Sequence, residues 1–229
     1  MFLPRMVKKR VQPGKDHTMK ILSEKHGFTS DHSSTSYQFL AIDKPLGKDA
    51  RADVAALSDR AIVKTRRAGF HFPGEWSDLP VEWRGLMVSY FDVMYRESYS
   101  WWTLAIAFNA APEQILELKQ YAFDGTDDLG TSVSQSSNRA IVTIECIVDG
   151  YCPRNLPDDG DALDRPTTDG LLNLLMRIRR QLIARDYRAL YAIWEIYARD
   201  PGKAHPPVPP AHKNGQSTIE LLRSILGRI

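Results

Sequence analysis

The sequence predicts an α+β fold: a ferredoxin-like (βαββαβ) N-terminal sheet domain with one added strand, followed by a C-terminal helical region. Three observations predict it. Residues 37–108 alternate β-forming and helically periodic runs in the order strand, helix, strand, strand, helix, strand, which is the split βαβ sequence. Ala140-Ile-Val-Thr-Ile-Glu-Cys-Ile-Val148 is a further run dominated by β-branched residues. From Thr168 onward the apolar spacing is helical only.

Taken in order, Tyr37 to Ile42 is apolar on both alternating sets of positions, as a central strand requires, and Lys44-Pro45-Leu46-Gly47 ends it. Asp49 to Arg60 places Ala52, Ala55, Ala56 and Leu57 at helical spacing. Ala61 to Thr65 and Phe70 to Phe72 read as two strands of a hairpin, closed by Pro73-Gly74. Val81 to Tyr99 repeats Trp83, Met87, Tyr90, Phe91, Met94 and Tyr95 at steps of three and four, predicting one long helix in which Asp92 pairs with Arg96. Trp101 to Phe108 has the length and composition of a buried strand, Pro112 to Tyr121 of a helix, and Ala140 to Val148 of a strand that extends the sheet.

Residues 149–166 mix Pro, Gly and acids with little apolar content, the mark of a linker. Beyond it Leu171, Leu174, Leu175, Ile178 and Leu182 form one helical stripe, and Leu190, Ile193, Trp194 and Tyr197 a second after an N-cap at Asp186. Pro206-Pro-Val-Pro-Pro210 predicts polyproline II, and Ser217-Thr-Ile-Glu220 has the capping-box pattern opening a last helix. The boundaries that follow are a basic flexible leader over 1–35, a sheet domain over 36–150, a linker over 151–166, and a helical region over 167–229 with a Pro-rich spacer at 201–215.

Composition narrows the classes. In 229 residues, 43% are hydrophobic, enough for a sizeable core, so the chain is globular. The net charge of +2 hides an asymmetry: residues 1–25 hold seven Lys or Arg against Asp16 and Glu24, so the remainder is slightly acidic. No apolar run reaches the roughly 18 residues of a membrane span, and the first fourteen residues lack the apolar core of a secretory signal. With only Cys146 and Cys152, a cytoplasmic setting is expected.

Tyr37-Gln-Phe-Leu-Ala-Ile-Asp-Lys-Pro-Leu46 at the start, and Asp186-Tyr-Arg-Ala-Leu-Tyr191 followed by Pro-Pro-Val-Pro-Pro near the end, resemble an uncharacterised family of bacterial proteins. The resemblance spans about two thirds of the chain and is loosest around Phe70 to Glu82. It implies architecture alone; no activity and no functional residue comes with it.

Candidate chemistry was weighed residue by residue. Gly125-Thr-Asp-Asp-Leu-Gly130-Thr131-Ser132 has the glycine spacing of a phosphate loop, but Thr131 stands where the Lys belongs and Asp127 and Asp128 repel phosphate. Arg66 and His71 stand five apart, the spacing by which metal-independent ribonucleases set Arg and His on one helix, but Gly69 and Pro73-Gly74 oppose a helix here. A His filling a strand edge is the favoured reading, and a ribonuclease with His71 as lone acid or base the alternative. The acids of 158–164 lack the glycine of a calcium loop, and His26, Asp31, His32, His205 and His212 lack zinc-ligand spacing, so neither metal nor cofactor is expected. Trp76, Trp83, Tyr90, Tyr95, Tyr99, Trp101 and Trp102 suit a core better than a stacking platform.

The expected function is therefore a non-catalytic protein-interaction or regulatory component of a bacterial multi-protein system. The apolar side of the last helix, Ile219, Leu222, Ile225 and Ile229, is the candidate contact with a protein partner. The alternative is a nucleic-acid binder or ribonuclease, using Arg177, Arg180, Arg185 and Arg188, among which Arg179 also falls, together with His71.

Overall fold

Runs that are apolar on both faces take the middle of a single antiparallel sheet. The computed structural model describes residues 34–74, 78–98, 101–125, 129–147, 170–198, 209 and 217–226. In chain order its elements are β1 (Ser34–Leu40), α1 (Lys48–Ala55), β2 (Ile62–Val63), β3 (Arg67–Pro73), α2 (Trp83–Ser89), β4 (Val93–Ser98), β5 (Trp101–Asn109), α3 (Pro112–Lys119), β6 (Phe123–Asp124), β7 (Gly130–Ser136), β8 (Arg139–Ile147), α4 (Gly170–Ile183), α5 (Arg188–Tyr197) and α6 (Ser217–Leu226). The strands lie in the order β2-β3-β1-β4-β5-β8-β7-β6, every described pair antiparallel. This α+β sheet of eight strands is larger than a four-stranded ferredoxin-like core with one addition.

The two faces carry separate cores. On one, α1 and α2 cover Tyr37, Phe39, Phe70, Phe91, Met94 and Ala105, with Phe39 meeting Phe70 edge-on at 5.9 Å. On the other, α3 to α6 cover Tyr95, Trp102, Leu104, Ile106, Val142 and Ile144. The C-terminal helices thus share one continuous core with the sheet. Residues 1–33 of the expected leader, the 151–166 linker and most of the Pro-rich spacer lie outside the described residues, as do Cys152 and the histidines 26, 32, 205 and 212, while Ser34 and Thr35, expected in the leader, begin β1.

Three expectations change. The long helix over 81–99 is instead the seven-residue α2 followed by strand β4. The stripe fits both, but Val93–Ser98 is buried almost throughout, a pattern that suits a strand flanked by β1 and β5 and shared between two cores. The expected Asp92–Arg96 pair goes with the helix: Arg96 lies over the Tyr37 ring and bonds Asp78 at 3.2 Å. In α1, Val54 turns inward while Ala52, Ala55 and Ala56 face solvent, because a valine buries more apolar area than an alanine. Finally, Asp186 sits one residue before the α5 cap position, Tyr187.

The remaining elements follow the sequence. Ile62 pairs with Gly69 in the expected hairpin, and β8 extends the sheet beside β5 over nine residue pairs from Trp101↔Ile147 to Asn109↔Arg139. From the glycine-spaced 125–132 stretch, Gly130 and Thr131 pair with Asp124 and Phe123 in the short β6–β7 ladder, where Gly130 adopts φ +154.

Candidate functional site

The densest meeting of charged side chains centres on Asp92, the residue that enters β4. Its backbone bridges strands, with its N–H donating to Leu40 O and its carbonyl accepting from Ala107 N–H at 2.7 Å. Its side chain therefore projects where the sheet ends, between the two layers. Oδ2 accepts the backbone N–H groups of Ile42 at 2.6 Å and Asp43 at 2.9 Å. Oδ1 faces two guanidiniums, Arg139 at 2.7 Å and Arg179 at 3.5 Å.

Those cations arrive from opposite faces. Arg139, first in β8, also donates to Met87 O at 2.9 Å and Phe91 O at 2.6 Å, satisfying carbonyls at the C-terminal end of α2. Arg179 comes from α4 in the other layer and donates to Ala107 O at 2.9 Å and to Asp43 Oδ2 at 2.5 Å. Side-chain exposure is 5% for Asp92 and 6% for Arg179 but 54% for Asp43, so only Asp43 opens to solvent. Beside them Arg66 donates to Ala41 O and Ile42 O, fixing the carbonyls of the same turn.

Chemically this cluster is closed. A carboxylate that accepts two backbone N–H groups and faces two guanidiniums has its oxygens taken up within the protein, with no lone pair directed at a substrate. It joins the turn at Ala41–Leu46, both helical layers and the strand ends.

A second polar row crosses the sheet at its opposite end. On the α4 side, His71 of β3, Ser36 of β1 and Glu97 of β4 are successive cross-strand neighbours. Ser36 Oγ and His71 Nδ1 lie 2.8 Å apart, and Glu97 is 8% exposed with Oε2 buried and unbonded. Burial alone pushes the Glu97 carboxyl up from its ordinary 4.5 to about 7. On the other face Thr103 donates to Glu145 at 2.7 Å, and Tyr37 donates to Asp78 at 2.6 Å.

The residues proposed from sequence are dispersed. Ile219 and Leu222, half of the expected partner face, are buried at 2% and 0% within the chain's own core. The Ile225 side chain and Ile229 lie outside the described residues. Arg185 pairs with Glu117 at 3.0 Å, Arg188 pairs with Asp186, and Arg179 is core, so the arginines form no continuous cationic surface with the exposed Arg180 and the half-buried Arg177. His71 sits on strand β3, so the helical Arg66–His71 arrangement is not formed; Arg66 instead binds Ala41 and Ile42.

The sequence reading missed the role of Asp92, Arg139, Arg179 and Asp43. One signal was available: Arg179 falls four after Leu175 and three before Leu182, on the apolar stripe, where an unpaired charge would be prohibitive. Among the described residues no helix is long and apolar enough to cross a membrane, and no group of three or more His, Cys, Asp or Glu is placed to hold a metal ion. No family model, curated protein or solved structure matches the chain.

Proposed function

We propose that the protein works by binding another protein, as a non-catalytic component of a bacterial multi-protein system. The observation that carries this reading is the closed cluster at Asp92: the most convergent set of ionisable groups is consumed in joining the layers. Among the described residues, we take the surface as what remains for function.

The contact is drawn from α2 and the turn before it rather than from α6. Val81 and Val88 are exposed at 42% and 37%, and Trp83, half-buried, carries Arg84 over its ring at 4.3 Å. Aromatic and arginine anchors beside aliphatic side chains are the composition of interface centres. A cytoplasmic setting accords with this, since Cys146 is a buried free thiol. We also read β1 to β4 with α1 and α2 as a ferredoxin-like unit; the order β2-β3-β1-β4 supports that reading.

The test uses the full chain as bait in the cells that make it, wild type against Val81→Asp/Val88→Asp, after equal thermal stability is verified. A partner enriched by wild type and lost with the variant is expected. Identical co-purifying sets for the two baits would refute the proposed surface. Gel shifts with RNA at low salt, retained in the variant, would point instead to a nucleic-acid role.

A further inference from the structure

We propose that Glu97 is a proton-operated latch: protonated, it stays packed beneath the joined ends of β1, β4 and β5; ionised, it swings out and releases the start of β1. The geometry carries this inference. Glu97 is more than nine-tenths buried and its Oε2 has no hydrogen-bond partner. A neutral carboxyl tolerates that placement, whereas an ionised one left without a donor or a cation does not.

The groups around it offer no compensating charge. On β1 the cross-strand neighbour is Ser36, whose hydroxyl is already engaged with His71 of β3. On β5 it is Trp102, and beyond that Cys146 of β8, a buried thiol that burial holds neutral. Tyr95, two residues back on β4, is buried and packs on Trp102 at 5.7 Å. The first turn of α4, Gly170 to Asn173, contains no ionisable residue. Among these described residues, only His71 could supply a cation, and it stands two strands away, about 10 Å across the sheet.

The sign follows from burial as the sole cause of the shift to about 7. An acid whose folded pKa is raised favours the closed form at low pH and opposes it as pH rises through the window between 4.5 and about 7. Above the window the preference levels off.

Hydrogen exchange of the full chain, corrected for intrinsic rates, reads the latch directly. If open segments titrate normally, the opening equilibrium at Thr35 to Tyr37 and at Glu97 rises roughly tenfold between pH 6 and pH 8. Glu97→Gln, which keeps the shape and removes the charge, should abolish the rise, while His71→Gln should retain it. Tryptophan fluorescence should show the same transition through Trp102, centred near pH 7. Protection independent of pH in the wild type, or an unchanged rise in Glu97→Gln, overturns the latch. A rise lost only in His71→Gln does so too, because it assigns the proton to the imidazole.

Discussion

At the scale of single residues, two buried carboxylates behave in opposite ways because of what surrounds them. Asp92 has four donors directed at it, and taking its charge away leaves Arg139 without its carboxylate partner and Arg179 with Asp43 alone. Asp92→Asn should therefore cost about 3–5 kcal/mol in urea unfolding, the usual consequence of breaking a buried pair. Asp43→Asn, at a half-exposed carboxylate, should cost no more than about 1 kcal/mol. Equal losses at the two positions would mean that Asp92 is not the centre of the cluster. Glu97 lacks such donors, so the folded chain holds a proton there, between pH 4.5 and about 7, that the unfolded chain releases. Stability from this group is greatest below that window, falls by about 3 kcal/mol as pH rises through it, and is flat above. Glu97→Gln should be more stable than wild type at pH 8 by about 2–3 kcal/mol, with the gap closing toward pH 5; a constant gap would contradict the assignment.

At the scale of elements, most of the fold was legible because hydrophobic periodicity reports which faces are buried. β1, β5, β8, α3, α4, α5 and α6 all lie where that pattern put them. The failure at Val81–Tyr99 has a physical source: Trp83, Met87, Tyr90, Phe91, Met94 and Tyr95 satisfy a helical stripe, yet Met94 and Tyr95 enter different cores. A three-and-four spacing cannot distinguish one helical face from two strand faces when both are apolar. The Asp92 cluster was illegible for a related reason, since its members are 43, 92, 139 and 179 in the chain and only the sheet brings them together. Glycines show how element context sets the sign of a substitution. Gly130 has φ +154, and an added Cβ would stand 2.3 Å from Phe123 O, so Gly130→Ala should destabilise the β6–β7 hairpin by about 3 kcal/mol. Gly85 lies inside α2 with open space around it, so Gly85→Ala should stabilise by about 0.5–1 kcal/mol. Thermal melts of the two variants should move in opposite directions; a lowered melting temperature in Gly85→Ala or a raised one in Gly130→Ala would overturn the reading at that position.

At the scale of the whole molecule, a sheet with separate cores on its two faces needs something that makes them fold as one. Main-chain ladders hold strands to strands, but they do not fix α2 on one face relative to α4 on the other. Arg139 binds the α2 end and Arg179 issues from α4, and one oxygen of Asp92 faces both. If this joint couples the layers, the two arginines cannot act independently, because losing either changes the charge balance felt by the other. Arg139→Met and Arg179→Met should each destabilise strongly, and the double variant should depart from their sum by about 0.5–3 kcal/mol in a double-mutant cycle. The departure should make the double variant more unstable than the sum, since the second substitution removes the last cation facing a buried carboxylate. The same change should appear in exchange data, with amides of α2 and of α4 losing protection together in either single variant. Additivity within about 0.3–0.5 kcal/mol, or loss of protection confined to the layer that carries the substitution, would leave the two faces as independently held layers and the Asp92 cluster as a local cap.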